Sequence, residues 1–85
     1  MITPTLQTIQ DEAELAHGKY GAPTSTHESL GVLLEEFEEL KDAIHANKSE
    51  SVREEAIQVA AVAYRLALAI ASGDLAFWNR SGFGR

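Results

Sequence analysis

In Leu30-Gly31-Val32-Leu33-Leu34-Glu35-Glu36-Phe37-Glu38-Glu39-Leu40-Lys41-Asp42-Ala43-Ile44, apolar residues recur at 30, 33, 37, 40 and 44. Steps of three and four residues place them on one face of an α-helix, whereas a strand would alternate every second residue. Four glutamates crowd the middle of the same run. Just upstream, Ser25 to Glu28 reads as a capping box, in which hydroxyl and carboxylate exchange hydrogen bonds with free backbone N–H groups. The spacing therefore predicts a helix over about 26–47, with its core face centred on Phe37.

The flanking sequence continues in the same style. Ser51 to Glu54 reads as a second capping box, opening a helix over about 52–72 that stops at Gly73. Thr3-Pro4 reads as an N-cap followed by proline at the first helical position, where its missing N–H costs nothing. Leu6, Ile9, Ala13 and Ala16 then recur at helical spacing over about 4–18, until Gly18, Gly21 and Pro23 end the pattern. No strand-like alternation, internal repeat or low-complexity tract interrupts the three. The expected fold is all-α, a small antiparallel helical bundle of three main helices forming one domain over 1–85. The tail from 74 to 85 carries Phe77, Trp78 and Phe83 among glycines. It is either a flap that stacks on a base or packing for an apolar seam or a neighbouring subunit.

A chain of 85 residues buries a limited share of its surface, and without cysteine it has no disulfide or thiolate–zinc site to brace it. The third helix shows where the missing stability is expected. Val52, Val59, Ala63, Leu66 and Ile70 form its main core face, yet Ile57, Ala60, Ala61 and Leu68 make the far side apolar too. A helix apolar all round is a buried one. Self-association into a homodimer or homotetramer is the expected cover. The run from Ala56 to Ser72 is broken by Gln58 and Arg65 and is read as too short to span a bilayer. The first twenty residues have no basic start and apolar stretch of the kind a signal peptide uses. The expected location is cytoplasmic, with no membrane contact. Net charge is −6 with only seven Lys and Arg, scattered along the chain, which argues against nucleic acid as a partner.

Eight of the thirteen acidic residues lie between Glu35 and Glu55. Successive helical side chains turn by about 100°, so with Phe37 at the core Glu36 and Glu39 fall on one flank beside Val32 and Ala43. Glu38 falls on the opposite flank with Asp42 and His45, a solvated surface by composition. On the third helix Glu55 borders the core face, with Gln58 and Arg65 just beyond it. Two antiparallel helices, each presenting an i, i+3 pair of oxygen donors, bring up to four ligands together. Glu36, Glu39, Glu55 and Gln58 thus form a candidate site for a hard cation, Mg²⁺ or Mn²⁺. The plainer alternative is a solvated acidic face pairing with Lys41 or Lys48, as a purely structural oligomer would carry. A di-iron bundle wants two Glu-x-x-His motifs. The chain offers Glu14-x-x-His17 and, with the shorter acid, Asp42-x-x-His45. His17, His27 and His45 are not spaced as a zinc set.

Glu35-Glu36-Phe37-Glu38-Glu39 and Glu55-Ala56-Ile57-Gln58 resemble the paired Glu-Glu-x-x-Glu and Glu-x-x-Asp motifs of the all-α nucleoside triphosphate pyrophosphohydrolases, the superfamily of MazG. Lys19-Tyr20-Gly21, His27-Glu28-Ser29 and Val59-Ala60-Ala61-Val62 are similar to small MazG-like members, and the resemblance covers roughly residues 6 to 71. It implies a Mg²⁺-dependent enzyme that hydrolyses a nucleoside triphosphate, often a non-standard or deoxy one, to the monophosphate and pyrophosphate. Glu36, Glu39 and Glu55 would hold metal, with Gln58 at the fourth place and Glu35 orienting or deprotonating the attacking water. Lys19 or Arg65 would reach a phosphate, unless Arg65 pairs with a glutamate. Gln58 departs from the motif's Asp and removes one negative charge. A second expectation therefore stands beside the first, a catalytically weakened module that binds nucleotide or a protein partner.

Overall fold

The computed structural model describes residues 2–73. Helices α1 (Ile2–Tyr20), α2 (Thr26–His45) and α3 (Ser49–Ser72) account for nearly all of them, and no strand occurs among the described residues. The all-α expectation holds. The tail with Phe77, Trp78 and Phe83 lies outside the described residues.

The helix ends follow the local chemistry, with three departures from expectation. The Ser25 hydroxyl accepts from the Glu28 N–H at 3.0 Å, as a capping box requires. The Glu28 carboxylate, however, receives the N–H and hydroxyl of Thr24 rather than the Ser25 N–H. Ser51 does not cap α3, because that helix already begins at Ser49 behind Lys48, which makes no side-chain cap. Nor do Thr3 and Pro4 mark a boundary, since α1 starts at Ile2 and its first turn contains both. Proline is tolerated there because first-turn N–H groups have no helical partner. At the other ends, Gly21 (φ 77°) and Gly73 (φ 76°) adopt the left-handed conformation that closes a helix, and Asn47 (φ 58°) does so in the α2–α3 turn.

Helix α3 is the centre of the molecule. Both α1 and α2 pack along it, and they do not pack on each other. The result is an open arrangement in which a groove runs between α1 and α2 with α3 as its floor. Small residues dominate the contacts: Ala13, Ser29, Ala43, Ile57, Ala61 and Ala69 are the buried positions. They let the helices approach closely but bury little apolar area, and no large side chain is fully enclosed.

This corrects the expected helical phase. Phe37 is 52% exposed, and Leu30 and Ile44 are about as open. The face of α2 turned to α3 instead carries Ser29, Leu33, Glu36, Leu40 and Ala43; Leu33 and Leu40 belong to both sets, and the centre turns by about 60°. On α3 the buried Ile57 and Ala61 come from the side expected to be the far one and Ala69 lies between the two faces, while Ala63 and Ile70 of the expected core face, and Leu68 of the far one, are exposed. The apolar periodicity of α2 marks a second surface, and the inner contact is made by the smaller residues beside it.

The expected limit on membrane spanning also changes. Counted from Ser49, α3 has 24 residues and is long and apolar enough to cross a bilayer by length and composition. The apolar run from Ala56 had made it look shorter. A core helix passes the same test and α3 carries both other helices, yet only 22% of its most apolar stretch is buried within this chain.

Candidate metal centre

The shifted phase brings Glu36 onto the inner face of α2, against α3. Glu39 follows one turn later, and Glu55 comes up from the first turns of α3. One oxygen from each lies within 4.8 Å of the other two, and these are the described residues' one group of acidic, histidine or cysteine side chains so gathered. No histidine belongs to it, so Glu14, His17, Asp42 and His45 do not assemble a di-iron set.

The electrostatics of the group are unfavourable as it stands. Burial pushes the Glu36 carboxyl above its ordinary value, and the charges of Glu39 and Glu55 push it further. Glu55 moves the same way, first by burial and then through Glu39. The Oε1 atoms of Glu36 and Glu55 are both buried and neither has a hydrogen-bond partner. Ionised carboxylates only accept, so they cannot satisfy one another. A shared proton or a cation is what holds such a group together. Three convergent carboxylates from two helices, two of which also carry a buried, unpartnered oxygen, fit an oxygen-seeking divalent ion that keeps some of its water.

Glu38 behaves as expected of the solvated flank. It pairs with Lys41 at 3.0 Å on an exposed surface, away from the other three. Glu35 is exposed, and with Glu36 it lines the groove between α1 and α2.

Gln58 and Arg65 occupy the floor of that groove, which encloses about 520 Å³. The Gln58 Nε2 donates to Glu12 Oε1 of α1 at 2.7 Å. Glu12 was missed in the sequence because nothing in the spacing of α1 singles out one acid among Asp11, Glu12 and Glu14. Only the packing of α1 on α3 selects it. Arg65 does not pair with a glutamate; its Nη2 donates to the Gly21 carbonyl at 2.9 Å. Its Nε is buried without a partner. Lys19 is not brought to the groove. It is exposed and lies over the Tyr20 ring, 5.3 Å from its centroid.

Helices α2 and α3 thus supply three convergent carboxylates, and α1 adds a fourth acid through an amide. A half-buried arginine stands farther along the floor. Comparison with known proteins finds no family model, no curated protein and no solved structure that matches this chain.

Proposed function

We propose that this chain is a MazG-like, Mg²⁺-dependent nucleoside triphosphate pyrophosphohydrolase that releases a nucleoside monophosphate and pyrophosphate. Its substrates on this reading are non-standard or deoxy nucleotides. The observation that carries it is the meeting of Glu36, Glu39 and Glu55, with two buried oxygens unpartnered, beside a groove of ligand size. The half-motifs on α2 and α3 add to it.

Glu36, Glu39 and Glu55 would hold the ion, with Gln58 one turn beyond Glu55. Bound there, Mg²⁺ polarises phosphate oxygens, screens their charge and lowers the pKa of a bound water. Glu35, exposed on the groove wall, would accept a proton from the attacking water. Arg65, anchored to the Gly21 carbonyl through Nη2 and lining the groove, would offer its remaining terminal N–H groups to a phosphate oxygen. Lys19 is assigned no role, since it lies outside the groove.

Self-association belongs to the same proposal. The expected interface on α3 leaves Leu68 and Ile70 exposed, and α2 adds the half-exposed Leu30, Leu34, Phe37 and Ile44. Burying the exposed half of each such side chain would recover about 0.7–1.5 kcal/mol in contact with a second copy. Cytoplasmic location is proposed with it, α3 being a core helix on this reading.

The test is pyrophosphate release across a panel of standard and modified triphosphates, with Mg²⁺, with Mn²⁺ and with neither. Metal-dependent release from at least one substrate is the expected result. Nucleotide binding without turnover would favour the second reading, a weakened module, which the amide at Gln58 supports. Neither binding nor turnover would end both.

A further inference from the structure

Gln58 has two ends, and only one of them can serve a cation. Its carbonyl oxygen can act as a ligand, whereas its NH₂ group can only donate and would repel one. The structure commits the NH₂ end: Nε2 donates to Glu12 Oε1 at 2.7 Å, a part-buried bond between α3 and α1. The acceptor leaves no alternative assignment, because an ionised carboxylate has no proton to give to a carbonyl. With one of its two N–H donors held by α1, the NH₂ end is turned toward Glu12 and the carbonyl oxygen away from it. Gln58 stands one helical turn from Glu55, on the same flank, and it lines the groove together with Glu36.

We infer that Glu12 is a positioning residue: it fixes the Gln58 amide so that its carbonyl, and not its NH₂, faces the cation held by Glu36, Glu39 and Glu55. This rests on the metal site proposed above and goes beyond it, since neither half-motif includes α1. Glu12 also returns to the neighbourhood the negative charge that an amide at 58 removes. Orientation and charge make opposite forecasts for one conservative substitution, Glu12→Asp. Glu12→Gln drops the charge and, because an amide donates as well as accepts, also lets the Gln58 amide turn over. Glu12→Asp keeps the charge and withdraws the acceptor by one methylene.

The experiment is Mn²⁺ titration of the full chain by electron paramagnetic resonance, for the wild type, Glu12→Gln, Glu12→Asp and Gln58→Met. Thermal unfolding of each without metal is recorded alongside. Supporting residues around a metal site typically change affinity by about 10–100-fold. Glu12→Asp, Glu12→Gln and Gln58→Met should each lose about tenfold. The double variant Glu12→Asp/Gln58→Met should lose no more than Gln58→Met alone, because both act through one amide. A purely structural role for the bond would lower the unfolding temperature and leave the Mn²⁺ affinity of the folded protein unchanged. That outcome overturns the inference. So does wild-type affinity in Glu12→Asp with a loss in Glu12→Gln, which would make charge the operative property. A wild type that binds no Mn²⁺ instead overturns the metal site itself, and the inference with it.

Discussion

Glu36→Gln tests the candidate centre most directly, because the two states of the protein should respond with opposite signs. The substitution keeps the side chain's size and removes one charge from the inner face of α2. Two unit charges 4.8 Å apart, the outer limit for this group, repel by about 3.5 kcal/mol at an effective dielectric constant of 20. Two effects reduce that figure. Glu39 is exposed to solvent, and the raised pKa of Glu36 and of Glu55 means that proton uptake already relieves part of the strain. A net gain of about 1–2 kcal/mol remains for the metal-free protein after solvent screening. In a domain of this size it raises Tm by about 5–10 °C. With Mg²⁺ at a hundred times its Kd, the wild type gains about 2.7 kcal/mol, because the ion binds only the folded state. The variant, short of one charged ligand, should gain almost none of it. The assay is thermal unfolding followed by circular dichroism near pH 7.5, at fixed protein concentration and ionic strength, with and without Mg²⁺. The order of stability should invert between the two conditions. If Glu36→Gln is less stable in both by similar amounts, the carboxylate serves packing and not a cation. Equal Mg²⁺ increments in the two proteins would refute the reasoning as firmly.

Glu39→Ala should weaken Mn²⁺ binding by more than about tenfold, and Glu38→Ala by less than about twofold, since Glu38 is engaged with Lys41 on the outer flank. Equal losses in a metal titration would mean that the acids act only as diffuse charge. Gln58→Asp removes the donor to Glu12 and adds a charge, so the metal-free protein should lose about 2–3 kcal/mol. A tenfold tighter site would then return about 1.4 kcal/mol more than wild type gains from saturating Mg²⁺. No extra rescue in thermal unfolding would remove Gln58 from the site. Glu36 and Glu55 are held above the ordinary value of 4.5, so above that pH the folded state binds more protons than the unfolded one. Their contribution to stability therefore falls as pH rises through this window and levels off above the raised values. Metal-free Tm should be higher near pH 5 than near pH 7.5, and Mg²⁺ should close the gap; a Tm that climbs with pH contradicts the assignment. Sedimentation at micromolar concentration should give a dimer or larger species, and a stable folded monomer would count against self-association.

The number, type and order of the helices were legible in the sequence because each carries its own periodicity and punctuation. Gly73 and the Ser25 hydroxyl act as their positions suggest. Helical phase was less legible. Phe37 and Leu30 look like core residues by hydrophobicity, but the inner contacts are governed by how closely backbones approach, and Ser29, Ala43, Ala61 and Ala69 win on size. That misreading left the three acids together because the true phase turns the inner face toward the flank already assigned to Glu36 and Glu39, so Glu36 lies further inward than expected. What the spacing of α1 could not reveal was Glu12, or the bond from Arg65 to the Gly21 carbonyl. Both depend on how α1 lies across α3, a matter of tertiary packing that no local pattern encodes.

Because α1 touches only α3, the molecule divides its labour between two pieces of chain. The hairpin of α2 and α3 owns all three converging carboxylates, and the other wall of the groove comes from α1 and the turn at Gly21. Substitutions on the groove side of α1, at Ala16 or Tyr20 for instance, reshape the cleft without displacing any of those acids. Selection can therefore alter what enters while the ion-binding hairpin stays as it is. Glu12 and Arg65 stitch across that seam, and a change in one piece is felt there in the other.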